Sequence, residues 1–386
     1  MCPAKASSAA PTLPPAISWR VPSQRPLPRR IASSPSRPLA RAQSLLVGQD
    51  AAEATLRRAW DGGRFPHAWL LHGPAGIGKA TLAFRLARFV LAGGGPDGGL
   101  RLPPEHPVAR RVAALAHGDL LYLGPEGIDA ERASARGDIT VDEVRRLAAM
   151  FAVTAAEGGW RVALLDGAER MNANAQNALL KLLEEPPRRA LLVLTTDRPG
   201  RVLPTIRSRC RKLALRPLAE DDVVRALGEV APQLPAEQVR DLARLAGGSP
   251  GRALALAEEG GLALFAELVG MLAKLPALDL VRVHALAERM QRSAGEAVFR
   301  LWLDMAELWF QRLCRHLAGR GSVGEAAAGE AAVAERLGQG LGLERLLELW
   351  EKFAASASRA DALNLDRKQV VLNFFLALQR LAGATA

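Results

Sequence analysis

The 386 residues are 49% hydrophobic and 24% charged, the balance of a globular protein with a sizeable core and room for two or three domains. No run approaches the ~20 consecutive apolar residues of a membrane-spanning helix. Three cysteines (Cys2, Cys210, Cys314) are too few and scattered for a disulfide framework or a four-thiolate zinc site, which points to a reducing compartment. The net charge of +11 argues only mildly for a polyanion partner, because seven basic residues lie in residues 1–42, which hold no acid.

That leader is rich in Pro, Ser, Ala and Arg and cannot bury enough apolar surface to offset its ordering entropy, so disorder is expected there. An organelle transit peptide shares this bias, but the repeated prolines oppose the amphipathic helix such peptides form. A bland tail, or a translation start placed too far upstream, fits the composition better.

From residue 44 the pattern becomes regular. A helix over about 50–61 gives way at "DGGRFP" to "HAWLLH", a buried strand, and then to "GPAGIGK" and a helix from Lys79 to about Leu91. Next come a helix near 105–115, the strand "DLLYL", and a helix opening near Val141 with Val144, Leu147, Met150 and Phe151 on one face. "RVALLDG" is a third strand, "NANAQNALLKLLEE" a helix stopped by Pro186-Pro187, and "ALLVLTT" a fourth strand. Continuous apolar strands alternating with helices predict a parallel sheet covered on both faces. Beyond about 213 the strands stop. Three short helices fill the stretch to about 261, and longer helical segments, with a glycine-alanine loop near 320–332, reach residue 383.

Four stations along this framework carry chemistry. In the first, strand, glycine-rich turn and helix start occur in the order of a phosphate cradle. Gly73, Gly76 and Gly78 let backbone N–H groups converge on phosphate oxygens, and Lys79 can reach the terminal phosphates. The residue after Lys79 is Ala80, where a Ser or Thr hydroxyl would meet magnesium. Thr81 stands one residue late, ~100° around the helix. The second station is Asp166, at a strand end where such loops keep a metal-holding acid. It is followed by Gly167 instead of a water-polarising glutamate, and Glu169, three residues on, reads equally as a cap or a base. The third is "TTDRPGRVLPTIRSRC": Thr195 and Thr196 could sense a terminal phosphate, and a short helix presents Arg209 near the domain edge, where a surface arginine would otherwise need no explanation. The fourth is Arg252 in "GGSPGRALAL", which alone carries no weight.

Together "VGQ", "GRFPHAWLLHGP", "NALLKLLEEPP", "TTDRPGRVLPTIRSRC" and "GSPGRAL" resemble the AAA+ clamp-loader subunits, continuously over about residues 44–260. The resemblance implies an α/β AAA+ P-loop domain (44–213) after the leader (1–43), then a small helical lid domain (214–261) and an all-α collar (262–386) for oligomerisation. It implies a degenerate nucleotide site made of Gly73, Gly76, Gly78, Lys79, Thr81, Asp166, Thr196 and Arg252, with ATP or ADP held without efficient hydrolysis and no required cofactor. Arg209 would act in trans, as an arginine finger for a neighbouring motor subunit. The implied setting is a hetero-pentamer with gamma/tau motor subunits and a delta subunit, acting on a sliding clamp at primed DNA, in a bacterial cytoplasm beside the nucleoid and away from membranes. Many members carry a four-cysteine zinc module after the first P-loop helix. Residues 92–140 hold no cysteine, so zinc is not expected. An active motor ATPase of the gamma/tau kind, disfavoured by Ala80 and Gly167, and an unrelated P-loop enzyme remain the competing readings.

Overall fold

A computed structural model of the chain describes residues 39–95, 98–125, 138–291, 295–317, 324–363 and 366–383. Most of the leader lies outside the described residues, as does part of the expected loop near 320–332.

Five parallel strands form one sheet in the order β2-β3-β4-β1-β5: β1 (Ala68–His72), β2 (Leu120–Leu123), β3 (Arg161–Asp166), β4 (Ala190–Thr196) and β5 (Arg211–Ala214). The central strands are apolar on both faces because helices cover both. Trp69 and Leu71 point into the core beneath α1 (Asp50–Asp61) and α2 (Lys79–Leu91), and Ala68 and Leu70 into the core beneath α4 (Val141–Ala152) and α5 (Ala173–Glu184). A further short helix, α3 (Pro107–Ala113), packs beside α2. Local signals fix the helix starts. Thr140 and Glu143 form a reciprocal capping box at α4, and Asn172 caps α5 through the amide of Ala175.

β5 was not expected. It is four residues long, reads Arg-Lys-Leu-Ala, and exposes every position but Leu213. An edge strand has one solvated side, and basic residues there block pairing with other chains, so no apolar run marks it. This strand makes β1 the place where the connection order reverses. Ligands of open α/β sheets sit beyond the carboxyl ends of the strands at such a point.

After β5 the described chain is helical. α7 (Glu220–Val230), α8 (Ala236–Leu245) and α9 (Pro250–Glu259) pack on one another and against the phosphate-loop side of the sheet. α10 (Gly261–Leu272), α11 (Leu280–Gln291), α12 (Gly295–Leu317), α13 (Glu330–Leu363) and α14 (Arg367–Gly383) enclose an aromatic core in which the Trp302 ring meets Phe353 and Phe374 edge-on. A buried ion pair, Arg312 Nη2 to Glu330 Oε2 at 2.9 Å, ties α12 to α13. The same guanidinium donates to the carbonyls of Arg244 (3.2 Å) and Gly324 (2.7 Å), which brings in α8 as well.

The fold begins earlier than residue 44. Residues 39–43 form a turn on α2, where buried Arg88 donates to the carbonyls of Arg41 (3.0 Å) and Gln43 (2.8 Å).

Candidate nucleotide site and arginine edge

A cavity of about 460 Å³ opens at the carboxyl ends of β1, β3 and β4. That volume falls within the range of small-molecule sites. One wall is apolar, with Leu46, Val47, Leu218, Val230 and Leu254; the floor is the loop from Ala75 to Thr81. Asp166, Glu169, Thr195, Thr196 and Asp197 close the far side.

Lys79, at the first turn of α2, is buried and donates to the carbonyls of its own loop, Gly73 (3.0 Å) and Pro74 (2.7 Å). Burial pulls its pKa below the ordinary lysine value, and the carboxylates of Asp197, Asp166 and Glu169 oppose that pull. Gly73 and Gly76 are required by space. A Cβ on Gly73 would stand 2.4 Å from the carbonyl oxygen of Leu215, and one on Gly76 would stand 2.5 Å from Ser249 Oγ. Both also have positive φ.

The loop is gripped by the start of α9. Gly251 N donates to Gly76 O at 3.0 Å, and Ser249 Oγ donates to Ala75 O at 2.8 Å. From the other side buried Gln49 donates to Ile77 O (3.3 Å) and Arg216 O (3.0 Å), joining the loop to the segment after β5. Neither Ser249 nor Gln49 was singled out from sequence, although the buried amide of "VGQ" and the Ser-Pro-Gly start of a helix were both visible.

At the far side the hydroxyls are already engaged. Thr195 donates to Asp166 Oδ1 and accepts from Gly167 N at 3.1 Å. The Tyr122 hydroxyl reaches Asp166 Oδ2 at 3.3 Å. Thr196 Oγ1 accepts from Arg198 N at 3.0 Å and donates to Glu169. Burial, reinforced by Asp197, pushes Glu169 up to about 7, and the bond from Thr196 works in the other direction.

Thr81 and Ala80 line the cavity beside Lys79, and no hydroxyl stands at position 80. Arg252 departs from expectation. Its neighbours Pro250 and Gly251 line the cavity, but half-buried Arg252 does not, and the carboxylates whose charge acts on it are Asp304 and Glu307 of α12.

Arg209 ends α6 (Pro204–Arg209), outside the cavity and with 37% of its side chain exposed. Nη2 pairs with Glu184 Oε1 at 2.8 Å and Nη1 donates to Thr205 O at 3.1 Å. The approach to this helix is pinned by buried Gln176, which accepts from Leu203 N (2.8 Å) and donates to Met171 O (3.1 Å). Cys210 next to it is a core residue whose thiol is pushed up to about 12 by burial, which makes it unreactive.

Residues 48–219 match the family model described as "DNA polymerase III, delta subunit". Three relatives each align with under half of the chain. The DNA polymerase III subunit delta' of Pseudomonas aeruginosa is 42% identical over 188 residues, covering 48% of this chain and 53% of its own. The subunit delta' of Bacillus subtilis is 35% identical over 158 residues, covering 40% and 44%. The subunit gamma/tau of Mycobacterium bovis is 34% identical over 173 residues, covering 44% and 28%. Over residues 48–219 this chain is similar to the DNA polymerase III delta-subunit family. The chain spans about half the length of the delta' relatives it matches. The matched segment holds the sheet, the phosphate loop, Asp166 and Arg209, but stops before Ser249 and Arg252. Among the described residues no cluster of His, Cys, Asp and Glu fits a metal ion, and no helix is long and apolar enough to cross a membrane.

Proposed function

We propose that the chain is a delta-prime-type subunit of a bacterial clamp loader, which holds a nucleotide without turning it over and lends Arg209 to the ATP site of an adjacent gamma/tau motor subunit. The observation that carries the reading is the contrast between the two ends of β4. On one side the chain's own cavity lacks a hydroxyl at position 80 and a carboxylate at 167, and its strand-end threonines are bonded internally. On the other, beyond α5 and outside that cavity, Arg209 keeps a half-exposed guanidinium held at two points.

The chemistry follows from charge. Phosphoryl transfer to water passes through a loose transition state with negative charge spread over the phosphate oxygens, so catalysis is mostly positioning and electrostatics. A planar guanidinium can meet two such oxygens at once, which a lysine cannot do. Glu184 and Thr205 use one donor on each terminal nitrogen of Arg209 and leave the remaining donors to reach a phosphate on a neighbour. The helical region after β5 would hold this subunit in a ring with gamma/tau and delta, opening a sliding clamp at primed DNA.

The gamma/tau relatives support a second reading, an active motor, against which Ala80 and Gly167 stand. One experiment separates the two. In a reconstituted loader Arg209→Ala should lower ATPase by ~10³-fold at the site it serves, the scale of arginine fingers. The isolated chain should show no DNA-stimulated turnover. Robust turnover by the isolated chain that disappears in Lys79→Ala would establish the motor reading instead.

A further inference from the structure

Glu169 rises from the single helical turn that follows β3, at residues 168–170, and reaches into the cavity between Thr196 and Asp197. It accepts a hydrogen bond from the Thr196 hydroxyl, lies against the Asp197 carboxyl, and its charge acts on Lys79. Its second oxygen, Oε2, is buried and no donor reaches it. A carboxyl group bonded to the strand-end hydroxyl, in the cavity that Lys79 also lines, takes a partner that the last phosphate of a bound nucleotide would require. The two groups cannot use it together. A terminal phosphate entering beside Glu169 and Asp197 would face two carboxyl groups in a partly desolvated pocket, where like charges repel more strongly than in water.

We propose that Glu169 stands in the place of a terminal phosphate, so that the cavity takes a nucleoside diphosphate and turns away a triphosphate. This rests on the nucleotide-holding part of the reading above and gives it a ligand class. The first two phosphates would lie on the loop amides from Gly76 to Lys79, and the apolar wall at Leu46 and Leu218 would carry the base. Glu169 and Asp197 set the limit on chain length at the far end. A plain capping role for Glu169 makes no such discrimination.

The test is direct binding of ADP and of ATP, with magnesium, to the full chain and to the Glu169→Gln and Asp197→Asn variants. The unaltered chain should bind ADP at least about tenfold more tightly than ATP, and Glu169→Gln should bring ATP within about threefold by tightening ATP while ADP changes little. Asp197→Asn should narrow the gap in the same direction, which keeps the idea testable if one variant fails to fold. Equal or tighter binding of ATP by the unaltered chain overturns the inference, as does a ratio that neither variant moves. Failure of ADP to bind at millimolar concentration overturns it too, and leaves the Arg209 reading intact, because that is measured on the motor subunit's ATPase.

Discussion

The carbonyl oxygen of Gly76 accepts a hydrogen bond from the amide of Gly251 at 3.0 Å, so the phosphate loop and the first turn of α9 meet backbone to backbone. A Cβ on Gly251 would lie 2.8 Å from Gly76 Cα, with no flexible atom able to yield. Gly251→Ala should therefore push α9 away from the loop and destabilise the fold by about 1–3 kcal/mol, the usual cost of forced overpacking. Thermal unfolding would register it. An unchanged Tm would mean the two segments separate freely.

The pH dependence of stability should carry the signature of Glu169. Its folded pKa, about 7, lies above the ordinary value of 4.5, so the folded chain holds a proton that the unfolded chain has released. Stability contributed by this group is complete below about 4.5 and is lost as pH rises through about 7. The groups that act on it are Thr196 and Asp197, and it acts in turn on Lys79. Glu169→Gln should flatten that part of the profile and exceed the parent above pH 8 by up to ~3 kcal/mol, read from urea unfolding at a series of pH values. Parallel profiles for the two proteins would place the titration elsewhere.

Arg312 and Glu330 are both buried and paired, and Arg312 also satisfies two carbonyls. Removing one partner leaves a charge without compensation, so Arg312→Met should cost about 3–5 kcal/mol. The double variant with Glu330→Leu should recover much of that loss, since an apolar pair of similar volume is often tolerated where a lone charge is not. A double variant no more stable than the single one would show that the two carbonyl contacts matter more than the ion pair.

The Glu184–Arg209 pair is half-exposed, so Glu184→Ala should change stability by less than ~1 kcal/mol. In an assembled loader the same variant should lower the motor ATPase by about tenfold, because the guanidinium loses one of its two anchors. Unchanged ATPase would reduce Glu184 to an incidental neighbour.

Much of this was legible in the chain. Strands β1 to β4 are continuous apolar runs, and the caps Thr140 and Asn172 stand where helices were expected to begin. The phosphate loop and the Arg209 helix follow from glycine spacing and from Pro204 at a helix start. What escaped depends on tertiary context. β5 has no apolar run because its partner β1 supplies only one edge. Arg252 is tied to the nucleotide site by motif, yet it stands outside the cavity lining and within the field of the acids of α12. Glu169 looked like a cap or a base because nothing local announces that Thr196 and Asp197, nearly thirty residues on, would surround it.

The grip of α2 on residues 41–44 reaches beyond the border of the fold. Arg88, pushed down to about 10 by burial and the nearby Arg85, has committed its two terminal nitrogens to the carbonyls of residues 41 and 43, and Arg85 takes the carbonyl of Ser44 at 2.9 Å. The segment so held supplies Ala40, Gln43 and Leu45 to the lining of the cavity. A chain begun at residue 39 keeps that lining. One begun at 44, where the composition changes, would strand a buried guanidinium and remove Ala40 and Gln43 from the cavity lining.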